Sequence, residues 1–214
     1  MERQRKRVVD KNNFGLRAND AGPIWLGLRL DTFRTPDAYD KLVYAKGEFV
    51  LQMLRSLMWD KDTQDKDFID MMQDFVTTDF NKNATTENFR TMATKHMKPS
   101  MDLAGDHRMN WFFGEWVYGT DLPRYRLEYS VQPAADGKFL LTGRVTQSEV
   151  SNDFRMKLPI YAEIDKQIIR MGSVFLTGNS TSPDFRITLP KKPKRVAANL
   201  FQDVLAVETV NQEK

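Results

Sequence analysis

The spacing of apolar residues changes once along this chain, and the change falls near Asp121-Leu122-Pro123. Before it, apolar side chains return every three or four positions, the repeat that lines one face of an α-helix. After it they return every second position, as in a strand with one buried face. A chain that keeps its helices in one half and its strands in the other belongs to the α+β class. The expected division is residues 1–121, helical, followed by residues 122–214, an antiparallel β-sandwich of roughly seven strands.

Within the first half, Phe68, Met71, Met72, Phe75 and Val76 mark the inner face of one helix. Thr85-Thr86-Glu87 starts another, with Phe89, Met92, Ala93 and His96 or Met97 turned inward. Met109, Phe112, Phe113, Trp116 and Val117 mark a further one, ending at Gly119, a residue suited to the position after a helix. The aromatic run Trp111 to Trp116 invites a ligand-stacking role, but its helical spacing reads as core. Asn12-Asn13-Phe14-Gly15 and Asn19-Asp20-Ala21-Gly22-Pro23 are loop chemistry, and Ile24 to Leu30 is too short to assign.

In the second half, Tyr125, Leu127, Tyr129 and Val131 alternate with polar residues, and Asp136-Gly137 signals a hairpin into Phe139, Leu141, Gly143 and Val145. Phe154 to Ile164 is the clearest strand. Gln167 to Leu176, Phe185 to Leu189, Arg195 to Leu200 and Val204 to Val207 are expected to supply four more. The basic run Lys191-Lys192-Pro193-Lys194-Arg195 reads as a solvated turn guarding a strand edge rather than a patch for an acidic partner.

Composition removes several classes. Of 214 residues, 41% are hydrophobic and 29% charged, which places the chain among folded soluble proteins. A net charge of +3 on 32 basic and 29 acidic residues, interspersed along the chain, gives no footprint for a nucleic-acid partner. No window approaches the roughly eighteen apolar residues of a membrane span. The charged start, Met1 to Arg7, lacks the apolar region of a signal peptide and reads as the outer end of a solvated helix or as an ordered lead-in. With no cysteine there is neither disulfide nor thiol chemistry, and the compartment stays open between the cytoplasm and the periplasm of a bacterium.

The stretch Leu42 to Leu54 carries the functional signal. Thr35 is expected as N-cap with Pro36 at the first helical position and Asp37 in the first turn. Leu42, the stem of Lys46, Phe49, Val50, Met53, Leu54 and Leu57 form one apolar stripe. Gly47 inside this helix costs about 1 kcal/mol against alanine, so a close backbone approach is expected there. Tyr44, one turn earlier, needs a polar partner if buried. Periodicity alone reads this as a core helix with a helix crossing at Gly47.

Tyr44-x-Lys46-Gly47 followed by an apolar run ending Met53-Leu54 resembles the helix that carries the catalytic tyrosine in the aminopeptidase N family of zinc metallopeptidases. The order of parts is also similar, with helices followed by a sandwich, over roughly residues 20 to 208. The resemblance implies that residues 1–121 are the C-terminal part of a thermolysin-like catalytic domain. It implies that the Tyr44 hydroxyl donates to the oxyanion formed when zinc-activated water attacks a peptide substrate, with Lys46 and Gly47 as motif residues that set geometry.

The chain departs from the family at the metal. A zinc peptidase needs two imidazoles one helical turn apart, a third ligand and a glutamate base, and the two histidines here, His96 and His107, belong to no His-Glu-x-x-His. No metal ligand is therefore assigned and no cofactor is expected in this chain. Zinc would sit in an upstream part of the same polypeptide, which is the expected partner along with the peptide substrate. Hydrolysis by these residues alone is not expected. Two other classes remain open: a non-catalytic peptidase-like scaffold, and a free-standing helical plus β-sandwich interaction module. A helical half cut from its upstream part would expose an apolar face and self-associate through it.

Overall fold

The computed structural model describes residues 1–214, and their contacts divide the chain into two bodies. One holds residues 10–120. The other holds Met1–Val9 together with Asp121–Lys214. The boundary at 120/121 lies beside the expected one, but the first nine residues group with the strands and not with the helices.

That N-terminal segment forms α1 (Glu2–Val9), with Val8 and Val9 buried. Arg5 donates to the carbonyl of Val207 at 2.6 Å while also pairing with Glu2. A charged sequence with two terminal valines is enough for one short amphipathic helix.

In the body of residues 10–120, the lead-in from 10 to 37 is irregular. Asn12 closes a tight turn by accepting from the amides of Phe14 and Leu16. Two short 3-10 turns follow, Ala18–Ala21 and Ile24–Leu30, the second kinked at Gly27, where φ is 57°. A kink in a seven-residue apolar run explains why neither helical nor strand periodicity is visible there.

The main helical run starts later than the sequence suggests. Thr35 is not its N-cap: its hydroxyl donates to the carbonyl of Leu30 at 3.1 Å and shares a hydrogen bond with Thr32. Asp37 adopts a left-handed φ of 61°, and the helix begins as α2 (Ala38–Asp40). The carboxylate of Asp31 serves in place of the cap, accepting from the amide of Tyr39 at 2.7 Å. A π-helical turn, Lys41–Lys46, then leads without a break into α3 (Gly47–Met58). Leu42, Lys46, Phe49, Val50, Met53, Leu54 and Leu57 are all buried, so the stripe is the core face.

Three further helices complete this body: α4 (Lys66–Thr78), α5 (Thr86–Lys95) and α6 (Asn110–Trp116). Thr85 caps α5 in a box with Asn88. Edge-to-face rings link the three, Phe75 to Phe89 at 5.0 Å and Phe89 to Phe113 at 6.0 Å. Trp111, Phe112, Phe113 and Trp116 are buried, so the aromatic run is core. Helix α4 departs from expectation, because it buries only Met71 fully and leaves Val76 at 58% exposure.

The second body carries β1 (Arg124–Pro133), β2 (Phe139–Ser148), β3 (Arg155–Ile164), β4 (Gln167–Thr177), β5 (Ser180–Thr181), β6 (Phe185–Leu189), β7 (Arg195–Ala198) and β8 (Glu208–Glu213). They form two sheets. One runs β5-β2-β1-β8, with β6 also on β2, and the other runs β4-β3-β7. The hairpin at Asp136-Gly137 joins β1 to β2 in register from Arg124↔Ser148 to Pro133↔Phe139.

The expected all-antiparallel arrangement is corrected at β8, which pairs with β1 in parallel. The expected strand at Val204 to Val207 is also absent. Val204, Leu205 and Ala206 are buried in an irregular segment, and the side chain of Asn199 bonds both the amide and the carbonyl of Val204 at 2.8 Å. One asparagine thus supplies the two backbone partners that a neighbouring strand would otherwise supply. The basic run is a turn whose lysines reach carboxylates, Lys191 to Asp165 at 2.6 Å and Lys194 to Glu163 at 3.0 Å.

Two glycines separate the structure from its sequence reading. Gly47 has no close neighbour; an added Cβ would meet only the Leu42 carbonyl oxygen, at 4.0 Å. At Gly119 an added Cβ would fall 2.6 Å from the carbonyl oxygen of Glu115 and 2.9 Å from that of Gly114. Gly47→Ala is therefore expected to stabilise the protein by about 1 kcal/mol, and Gly119→Ala to destabilise it by about 1–3 kcal/mol. Urea denaturation of the two variants checks both signs.

Candidate functional site

A lysine inside an apolar stripe needs acceptors, and the structure supplies them from distant parts of the chain. The Lys46 side chain is fully buried. Its Nζ donates to Asn19 Oδ1 at 2.9 Å and to the Gly119 carbonyl at 3.2 Å. Asn19, itself buried, is oriented by donating its Nδ2 to the Thr120 carbonyl. One ammonium thus ties the π turn to the Ala18–Ala21 turn and to the chain leaving α6. A compact ammonium head can point its donors at these two oxygens, which lie on different segments, where a planar guanidinium would have to take both in one plane.

Tyr44 lies two residues before this anchor and points the other way. It is 59% exposed, and its ring meets that of Tyr39 edge-on at 6.3 Å. The amide of Tyr39 is the one held by Asp31. The phenol is thus exposed on a turn that Lys46 anchors from the core side. The backbone there has the wider π pitch, with the Gly47 amide bonded to the Leu42 carbonyl five residues back. Such turns recur where a helix presents a functional group.

The structure therefore gathers Tyr44, Lys46 and Gly47 on one turn and gives them different environments. Tyr44 is presented, Lys46 is buried structure, and Gly47 is without the expected close packing. The sequence did not identify Asn19, Gly119 and Asp31, which hold the turn in place. The available signal was Lys46 itself, read there only for its aliphatic stem, and its partners lie 27 and 73 positions away.

Neither histidine takes part. His96 closes α5 with Nε2 2.9 Å from Asp74, whose carboxyl is held down at about 2 by the Lys95 ammonium first and by His96 second. His107 is not on a helix. It sits in the loop before α6 with φ of 55°, its Nδ1 2.8 Å from Asp102. The chain gathers no group of three or more histidine, cysteine, aspartate and glutamate side chains able to hold a metal ion.

No helix is long and apolar enough to cross a membrane. Along α4, Phe68, Ile69, Met72 and Val76 line an open groove of about 380 Å³. Phe80, just beyond the helix, is 70% exposed. Compared with protein-family models and with curated proteins, the chain matches none.

Replacing Lys46 by methionine keeps the apolar stem and leaves Asn19 Oδ1 and the Gly119 carbonyl without their shared donor. Lys46→Met is expected to cost about 2–4 kcal/mol in chemical denaturation, the sum of two buried acceptors left unpaired. Amide exchange at Gly47 should quicken as the π turn loosens.

Proposed function

We propose that this chain is the C-terminal part of a zinc-dependent aminopeptidase-like polypeptide and contributes Tyr44, but no metal ligand, to an active site completed by residues upstream. The observation that carries this reading is the presentation of Tyr44, exposed on a π turn whose neighbour Lys46 is locked in the core. The motif Tyr44-Ala45-Lys46-Gly47 and the order of a helical body before a two-sheet body support it.

In this reading the phenol is a hydrogen-bond donor to the oxyanion of a peptide undergoing attack, and its value lies in being aimed beforehand. Lys46, Asn19 and Gly119 act through the backbone by fixing that aim. Metal ligands and the general base belong to the upstream part, as do the walls that choose the substrate side chain.

A second reading is a peptidase-like scaffold without catalysis, or a free-standing interaction module. The groove along α4 favours it, because exposed apolar side chains in one row mark a surface that meets another protein. In the catalytic reading the upstream part covers that face.

Two measurements separate the readings. Tyr44→Phe in the full-length polypeptide should lower kcat about 10²–10³-fold, as loss of one oxyanion donor does, with the melting temperature unchanged. Equal turnover in that variant rejects the catalytic role. Val76→Asp in the chain by itself should abolish any concentration-dependent association seen by analytical ultracentrifugation, and association that persists places the contact elsewhere.

A further inference from the structure

The second body holds a carboxylate that nothing in the proposed function uses. Asp203 is 5% exposed, in the irregular segment between β7 and β8. Its Oδ1 accepts from the Tyr161 hydroxyl at 3.0 Å, whereas its Oδ2 is buried with no hydrogen-bond partner. An ionised carboxylate with one oxygen unserved in a buried site is costly. The neutral acid lowers that cost.

The backbone around it is unusual as well. Asn199 and Gln202 both adopt left-handed conformations, with φ of 54° and 59°. Between them Phe201, 50% exposed, sets its ring edge-on to Tyr161 at 5.1 Å and 88°. Beyond them the Asn199 side chain grips Val204 at both backbone atoms. The segment is a short flap with an aromatic tip, folded over a tyrosine–carboxyl pair and pinned at its base. Left-handed non-glycine residues persist only where surrounding contacts hold them.

We propose that Asp203 is a proton-operated latch: its carboxyl is neutral while residues 199–203 lie closed over Tyr161, and its ionisation releases the Phe201 flap. The charged and titratable groups facing it are Tyr161 from β3 and Arg170 from β4. Lys157 of β3 in turn faces Arg170. Burial raises the Asp203 carboxyl above the ordinary carboxylate range. The Tyr161 hydroxyl, the Arg170 charge and the backbone amides of Asp203 and Phe201 together pull it down by less. Burial likewise raises the Tyr161 phenol, so it stays a neutral donor throughout.

The direction follows from linkage. The closed form binds the proton more tightly than the open form, because its pKa is the raised one. The stability of the closed flap is therefore complete below the ordinary carboxylate range and is lost as pH rises through the raised value.

The test is amide exchange at Val204, whose N–H is bonded to Asn199, with Val145 in β2 as the reporter of global opening. Protection at Val204, corrected for intrinsic rates, should fall by up to about tenfold per pH unit above the transition, the limit for one proton. Protection at Val145 should not follow it. Asp203→Asn, neutral at every pH, should show no such slope. Tyr161→Phe removes a group that pulls the carboxyl down, so its transition should move to higher pH. A flat wild-type profile, an equal slope in Asp203→Asn, or a transition that stays put or moves down in Tyr161→Phe each overturns the latch. Should Asp203→Asn fail to fold, the direction of the Tyr161→Phe shift decides alone.

Discussion

A single buried ammonium organises the helical body. Removing a charge from water is among the most expensive things a fold does, and it is tolerated only where oxygens converge on the site. At Lys46 they converge from Asn19 and from the backbone at Gly119, so three segments far apart in sequence must meet correctly for the ion to be accommodated. The same requirement explains why Gly119 admits no side chain: the chain must pass within touching distance of the last carbonyls around α6 to deliver its own oxygen. The apolar stripe of α3 supplies most of the burial, but hydrophobic contact alone tolerates sliding. Directional bonds to one nitrogen do not, and they set the register of the π turn that carries Tyr44.

Much of the helical half was legible because its helices are amphipathic at a single period. The stripe from Leu42 to Leu57, the cap at Thr85 and the buried run from Met109 to Val117 could be read directly. The start of the central helix could not. Thr35 has the right chemistry for a cap, yet its hydroxyl is used by Leu30 and Thr32, and Asp31 reaches in from outside the helix. Local propensity describes what a residue can do, and tertiary contacts decide which of its options is taken. Gly47 shows the converse, since a glycine inside a helix suggests a close neighbour and here has none.

In the strand-rich half, alternation located β1 and β2 because each has one buried and one wetter face. It failed at β8, where Glu208 to Glu213 is a mostly polar edge strand with no apolar alternation to detect. It failed in the opposite sense at Val204 to Ala206, whose apolarity reflects burial without any ladder. Both errors have one source: hydropathy reports burial, and burial marks a strand only when neighbouring backbones supply the hydrogen bonds. Asn199 supplies them instead, a long-range role invisible to any window of sequence. The parallel pairing of β8 with β1 was hidden for the same reason, since strand direction is set by the path of the chain and not by its composition.

The split of the β body across both ends of the chain has a consequence for biosynthesis. Residues 10–120 form their own set of contacts and leave the ribosome before any strand does, so this body can mature while translation continues. Helix α1 is made before residues 10–120, yet its Arg5 has no Val207 carbonyl to reach until the last strands are being added. Residues 1–9 must therefore wait through the synthesis of the helical body and the strands that lie between them and Val207.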